Sequence, residues 1–177
     1  LAQAKGLSYG SGGVGSANHL AGELLKSTAG IKLLHVPYKG AAPATTALLG
    51  GEVDLMLNGV SVALPHIKAG RLKALAVTTS HRLPSLPEVK TLQEAGIAPF
   101  DVSAWFGLLA PAGTPPEVLQ TLEKAARDTM ASPEVAALLE SAGLEPDLMP
   151  GAQFGRFIHD ERDKWSAIVR SSGARAD

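Results

Sequence analysis

The sequence contains no cysteine, which excludes disulfides, thiol catalysis and cysteine-ligated metal, and which is compatible with an oxidising compartment without requiring one. It has no run of lysine and arginine and a formal net charge of −1, so nucleic acid is not expected as its main partner. It also has no apolar stretch long enough to span a bilayer. With 177 residues, of which 45% are hydrophobic, the chain can build a packed core.

The first six residues, LAQAKG, are typical of the last turn of a helix, with Lys5 in that turn and Gly6 as its left-handed stop. A helix end without its beginning leads us to expect that the sequence is a piece of a longer chain.

Residues 7–79 alternate between strand-like and helix-like segments. Strands are predicted at 7–10, 31–37, 52–58 and 72–79, the second as a buried strand. Helices are predicted from position 17, at 43–49 and at 62–69, with glycines at their ends. This alternation predicts right-handed crossovers and a mostly parallel sheet, the α/β class.

Residues 80–100 are predicted to form a connecting loop with a short helix at 89–95. After it we expect an apolar strand at 102–113, then a helix with Thr114 as N-cap, Pro115 at its first position and Glu117 closing a capping box. A second helix begins after Ser132 and ends at Gly143, and a strand at 144–150 and a helix at 152–171 follow. The apolar faces of these helices need a sheet to cover them, and we expect its other strands upstream.

Residues 10–15, GSGGVG, match the G-x-G-x-x-G dinucleotide-binding pattern. That pattern also requires an acidic residue about 20 positions later to hold a ribose hydroxyl. Here Pro37, Tyr38 and Lys39 end the second strand, so only an NADP-type site, with Lys39 facing a 2′-phosphate, is compatible.

The same loop can bind another anion. The helix beginning near Ser16 directs free N–H groups into the loop, and the hydroxyls of Ser11 and Ser16 are expected to add donors. The second crossover enters its helix through Gly40 and Ala41 with no side chain able to cap it. Both loops, and Asn58 after the third strand, are expected at the carboxyl edge of the sheet, where ligands bind in such folds. Tyr38 is compatible with a lid over this crevice or with ordinary packing.

No catalytic set is recognisable. The five histidines lack metal-ligand spacing, and His19 is expected either to reach the loop as a ligand contact or to make a structural hydrogen bond to it. No serine is centred in G-x-S-x-G. The carboxylates of Glu23, Glu52 and Asp54 are expected to face solvent, which leaves no pair for acid–base work.

The combination of G-S-G-G-x-G-S-x-x-H-L with H-V-P-Y-K-G-x-x-P-A resembles the substrate-binding receptors of tripartite tricarboxylate transporters, the Bug family of bacterial periplasmic proteins. The later segments R-L-P-S-L-P-E-V-K-T-L-Q-E-A-G, W-F-G-L-L-A-P-A-G-T-P and F-x-x-F-I-x-x-E-x-x-K-W follow in the order of that family. The resemblance covers nearly the whole chain.

The resemblance implies a type II periplasmic-binding-protein fold, with residues 1–102 forming a complete second lobe and residues 103–177 returning to a first lobe whose remainder lies upstream. It implies a receptor, not an enzyme, that binds a small carboxylate in the periplasm and delivers it to membrane permease subunits, without cofactor or metal. A signal peptide is not present in this stretch. Carried over by position, the ligand-binding residues are Ser11, Gly12, Gly13, Gly15, Ser16, His19, Tyr38, Lys39, Gly40, Ala41 and Asn58. Many relatives carry Asp or Ser where Asn58 stands.

Two other interpretations remain open on the sequence. One is an NADP-dependent oxidoreductase that uses residues 10–15. The other is homo-association through the uncovered surface of the first lobe. The residue types do not specify which carboxylate is bound.

Overall fold

The computed structural model describes residues 6–172, except the side chain of residue 171. The predicted helix end at residues 1–5 lies outside this range. Within these residues the chain forms three strands, β1 (Ser8–Ser11), β2 (Leu34–Pro37) and β3 (Leu55–Met56). Its helices are α1 (Ala17–Ala29), α2 (Ala41–Leu49), α3 (Val60–Lys68), α4 (Pro116–Met130), α5 (Pro133–Ser141) and α6 (Gly151–Ser172). None of the helices within residues 6–172 has both the length and the apolarity that a bilayer crossing requires.

The three strands form one parallel sheet in the order β2-β1-β3. Neighbouring residues of β1 point to opposite faces of this sheet. Tyr9 lies against Gly22 of α1, whereas Gly10 lies against Ala44 of α2. The two crossover helices therefore cover opposite faces, as right-handed connections running in opposite directions require.

The hydrophobic core lies on the α1 face. Ala21 of α1 packs with Phe100 and Val102, and the half-buried Leu24 and Trp165 border this cluster. Because Trp165 belongs to α6, the carboxyl-terminal part of α6 lies against α1.

The strand predictions were only partly correct. β2 is not buried, because it is an edge of the described sheet, and Leu34 is 66% exposed. The predicted strand at 72–79 is wrong: only Val77 makes an isolated parallel bridge, to Thr91. The helix predicted at 89–95 is a series of turns.

The predicted strands at 102–113 and 144–150 are also wrong within the described residues, where no neighbouring strand supplies hydrogen bonds to them. Phe106 is 86% exposed in the first of these segments. The capping box at Thr114 is wrong as well, since Pro115 is the N-cap of α4 and the Thr114 hydroxyl donates to the Pro111 carbonyl instead. The predicted start of a helix after Ser132 is confirmed, and Ser132 caps α5 by accepting a hydrogen bond from the Val135 N–H.

Candidate anion-binding site at the carboxyl edge of the sheet

Two loops lie side by side at the edge where β1 and β2 end. The glycine loop (residues 11–16) joins β1 to α1, and the lysine loop (residues 38–41) joins β2 to α2. The Gly40 N–H donates to the Gly12 carbonyl at 3.1 Å, and the Tyr38 N–H donates to the Ser11 carbonyl at 2.9 Å. A Cβ added to Gly12 would lie only 3.1 Å from the Ala41 nitrogen, so a side chain here would push the two loops apart by a few tenths of an ångström.

Each loop ends in a helix start with free backbone donors. Ser16 caps α1 by accepting from the His19 N–H, while Gly40, the N-cap of α2, offers no side chain. Four N–H groups in the first turns of α1 and α2 have no hydrogen-bond acceptor among residues 6–172: those of Ala17, Asn18, Ala41 and Ala42. The positive ends of two helix dipoles therefore meet at one edge.

The structure gives the two predicted hydroxyl donors other partners. The Ser16 hydroxyl donates to the Gly13 carbonyl at 2.7 Å. Ser11 is completely buried, and its Oγ accepts from the Gly13 N–H at 3.1 Å and lies 2.6 Å from Nε2 of His35. These hydroxyls hold the glycine loop in shape, and the donors that stay free are backbone N–H groups.

His19 also contacts the glycine loop from behind. Its side chain is buried, and its Nδ1 accepts a hydrogen bond from the Gly15 N–H at 3.1 Å. This is the structural hydrogen bond that was one of the two expectations for His19. Its ring stacks on His35, with centroids 4.0 Å apart.

The expectation that Glu23 faces solvent is wrong. Its side chain is 15% exposed, accepts from the Tyr9 hydroxyl at 2.7 Å and pairs with Lys26 at 2.7 Å. Burial opposes ionisation of Glu23, but hydrogen bonds from Lys26 and Tyr9 hold its pKa below the ordinary value. Burial and the hydrogen bond to Glu23 raise the pKa of Tyr9, which therefore stays protonated.

In the lysine loop, the ring of Tyr38 lies over Gly10, where an added Cβ would be 3.7 Å from Cε2. Desolvation, followed by the charge of Glu52 and a hydrogen bond to it, raises the pKa of Tyr38. Lys39 is exposed and makes no ion pair with any residue in the described range. Its charge adds to the positive potential beside the start of α2.

The third predicted contributor, Asn58, is held by internal hydrogen bonds. Its Nδ2 donates to Thr45 Oγ1 at 2.9 Å and its Oδ1 accepts from the Gly59 N–H at 3.0 Å. Asn18 similarly donates to the Leu57 carbonyl at 2.6 Å. These bonds tie the end of β3 to the start of α1 and to the middle of α2. The part of the chain that the structure describes has no group of three acidic or histidine side chains suited to a metal ion.

A family model described as "Tripartite tricarboxylate transporter family receptor" matches residues 2–174. The chain belongs to this receptor family. The sequence resemblance to the Bug receptors is thereby confirmed.

Similarity to curated proteins supports this family assignment. A protein from the tcbD-tcbE intergenic region of a Pseudomonas species is 37% identical over 164 residues, which are 92% of this chain and 49% of that protein. BugT of Bordetella pertussis is 35% identical over 162 residues, 92% of this chain and 50% of that protein. A protein from the clcB-clcD intergenic region of Pseudomonas knackmussii is 36% identical over 158 residues, 89% of this chain and 94% of that protein. The chain thus spans about half the length of two of these relatives and nearly all of the third.

Solved structures of receptors share the fold. Rpa4515 of R. palustris, solved with adipate, has a TM-score of 0.84 at 33% identity over 95% of this chain and 56% of its own. The periplasmic binding protein BugD has a TM-score of 0.80 at 33% identity, covering 97% and 58%. MatC from Rhodopseudomonas palustris, with bound malate, has a TM-score of 0.78 at 31% identity, covering 92% and 56%. The predicted fold class, a parallel α/β unit of a periplasmic binding protein, is confirmed.

Proposed function

We propose that the chain is the solute-binding part of a receptor that captures a small carboxylate in the periplasm and delivers it to the membrane permease of a tripartite transporter. The relatives solved with adipate and malate support a carboxylate as the ligand. BugD, a periplasmic binding protein, supports the location.

The observation that carries the proposal is the pair of adjoining helix starts. A carboxylate has two oxygens, each able to accept more than one hydrogen bond, and the edge offers four unpaired N–H groups. Charge-assisted hydrogen bonds of this kind are roughly twice as strong as neutral ones. Lys39 adds the positive charge that favours an anion over a neutral solute.

We propose further that residues 1–102 form one lobe and residues 103–177 belong to the other, with the ligand held between them. The proposed function is binding without chemical conversion, for which backbone N–H donors are sufficient. The ligand thus contacts the free N–H groups, and the glycine loop and Asn58 shape the cavity around them.

Isothermal titration calorimetry of the chain with adipate, malate and citrate, and separately with NADP, tests this function. We expect saturable binding of at least one of the three acids and none of NADP. Binding of NADP alone would favour the oxidoreductase alternative and overturn the receptor proposal. Failure of all four compounds to bind would also count against it.

A pair of glycine variants connects the titration to the site. Gly12→Ala puts a methyl group against the backbone of the lysine loop, whereas a Cβ at Gly155 has no atom within 4 Å. We expect Gly12→Ala to weaken carboxylate binding at least tenfold and Gly155→Ala to leave it unchanged. Equal affinities in both variants would mean that the ligand binds elsewhere.

Size-exclusion chromatography addresses homo-association through the exposed apolar side chains of residues 105–109 and of α4. We expect ligand affinity to be independent of any dimer observed there, since none of these side chains belongs to the glycine loop or the lysine loop.

A further inference from the structure

Three aromatic rings stack behind the glycine loop, on the α1 face of the sheet. The imidazoles of His19 and His35 are 4.0 Å apart between centroids, with 19° between their planes. The ring of Tyr9 lies 4.9 Å from His35, at 27°. The stack therefore joins α1, β2 and β1 at the point where the glycine loop begins.

Both imidazoles are fastened to the glycine loop. Nδ1 of His19 accepts from the Gly15 N–H at 3.1 Å. Nε2 of His35 lies 2.6 Å from the Ser11 hydroxyl, which accepts from the Gly13 N–H at 3.1 Å. Gly13 and Gly15 have φ angles of +125° and +78°, which the loop must maintain. The N–H groups of these two glycines are bonded within the protein, so they do not donate to a ligand. As long as the loop keeps this shape, the free N–H groups at the start of α1 keep their direction.

These bonds define the protonation state of His19. Because Nδ1 accepts a hydrogen bond, its proton must lie on Nε2, and the ring is neutral. A second proton on Nδ1 would face the Gly15 N–H, donor against donor, and would break that bond.

The charged and titratable groups around the stack come from two elements. Glu23 and Lys26 lie on α1, and Tyr9 lies on β1. Glu23 is 3.8 Å from Nε2 of His19 but is already paired with Lys26 and Tyr9. Burial lowers the pKa of both histidines, and for His35 the neighbouring His19 lowers it further.

We propose that His19 and His35 are positioning residues of the carboxylate site, whose neutral stack holds the glycine loop in its binding shape and whose protonation releases it. This rests on the proposed function. It assigns His19 a role behind the loop in place of a ligand contact, and it adds His35 to the site. Carboxylate affinity should therefore fall at acid pH for a reason that lies in the protein and not in the ligand.

Two types of variant separate this role from simple structural support. His19→Asn keeps an acceptor near the position of Nδ1 but does not titrate, and His19→Leu removes the acceptor. We expect His19→Leu to bind adipate or malate about tenfold more weakly at pH 7.5. We expect His19→Asn to bind more tightly than His19→Leu at pH 7.5 and to show a smaller decline of affinity between pH 7 and 5, because only His35 of the pair can then titrate. His159→Asn, at an exposed histidine on α6, is the matched control and should keep the decline.

The amide resonance of Gly15 provides a readout that needs no ligand. In the ligand-free wild type it should shift with pH as the stack titrates, below the ordinary histidine range, and in His19→Asn it should not. Three results would each overturn the positioning role. They are a pH dependence of affinity in His19→Asn equal to that of the wild type, an affinity of His19→Leu equal to that of the wild type, and a Gly15 amide resonance that does not shift with pH. If no carboxylate binds the wild type at pH 7.5 although the Gly15 amide titrates, the proposed function has failed while the coupling of the stack to the loop stands.

Discussion

One methyl group added at Gly22 tests the packing that places α1 on the sheet. A Cβ there would lie 2.3, 2.7 and 2.9 Å from three ring carbons of Tyr9. Tyr9 has no room to move, because it is completely buried, its hydroxyl is bonded to Glu23, and its ring stacks on His35. To restore ordinary contacts of about 3.5 Å, α1 must retreat from β1 by about 1 Å.

Two effects of Gly22→Ala oppose each other. Helix propensity favours alanine over glycine by about 1 kcal/mol, whereas overpacking a core costs about 1–3 kcal/mol, and loss of the Tyr9–Glu23 hydrogen bond adds about 1 kcal/mol or more. We expect a net loss of about 1–3 kcal/mol in the free energy of unfolding. For a chain of this size each kcal/mol lowers Tm by about 2–4 °C.

Urea denaturation followed by far-UV circular dichroism measures this difference. Gly155→Ala is the control, because it has the same propensity gain in a helix without a clash, and we expect it to be neutral or more stable than the wild type by up to about 1 kcal/mol. A Gly22→Ala variant as stable as Gly155→Ala would refute the close approach of α1 to β1.

Three further predictions follow from the same contacts. Ala17→Pro removes one free N–H at the first position of α1, where proline fits without disturbing the helix. Calorimetry should therefore give carboxylate binding weaker by about tenfold or more, while Tm stays unchanged. Ala17→Gly keeps the N–H and should bind the carboxylate like the wild type. Because the fold lowers the pKa of His19 and His35 below the ordinary 6.5, their contribution to stability is complete above that pH. It is lost as the pH falls through that value towards the lowered ones, by at most about 1.4 kcal/mol per pH unit for each residue. Urea midpoints between pH 7.5 and 5 should show this decline, and His35→Gln should reduce it. Trp165→Ala should lower the free energy of unfolding by about 2–3 kcal/mol, since Trp165 joins α6 to the core beside α1, and an unchanged urea midpoint would contradict that packing.

The order of elements from β1 to α3 could be predicted because its signals are local. Apolar spacing in α1 and glycines after each helix are visible in a single sequence. The strand predicted at 72–79 had an equally apolar pattern but pairs only at Val77, since a strand also needs a neighbour that supplies hydrogen bonds. The cap of α4 was misplaced by one residue because Pro115 and Pro116 both follow Thr114, and only the backbone decides which of them begins the helix.

The candidate site was predictable in its backbone and not in its side chains. The two loops meet because adjacent parallel strands end at one edge, which the crossover pattern implies. The direction of the Ser11 hydroxyl, by contrast, depends on His35, and that contact depends on the register that pairs Tyr9 with His35. The sequence did not single out His35, because this residue lies in an apolar run. Its position two residues before Pro37 places it on the same face of the sheet as Tyr9 and Ser11, but this becomes visible only once the strand register is known.

The central claim is that free N–H groups at two adjoining helix starts hold a carboxylate. Two-dimensional amide NMR of the isotopically labelled chain, titrated with adipate and with malate at pH 7.5, tests it most directly. We expect saturable downfield shifts that are largest for the amides of Ala17, Asn18, Ala41 and Ala42. The changes at Gly13 and Gly15 should be smaller, because their N–H groups are already bonded within the protein. Saturable shifts confined to other amides, or none in this group at full occupancy, would contradict it.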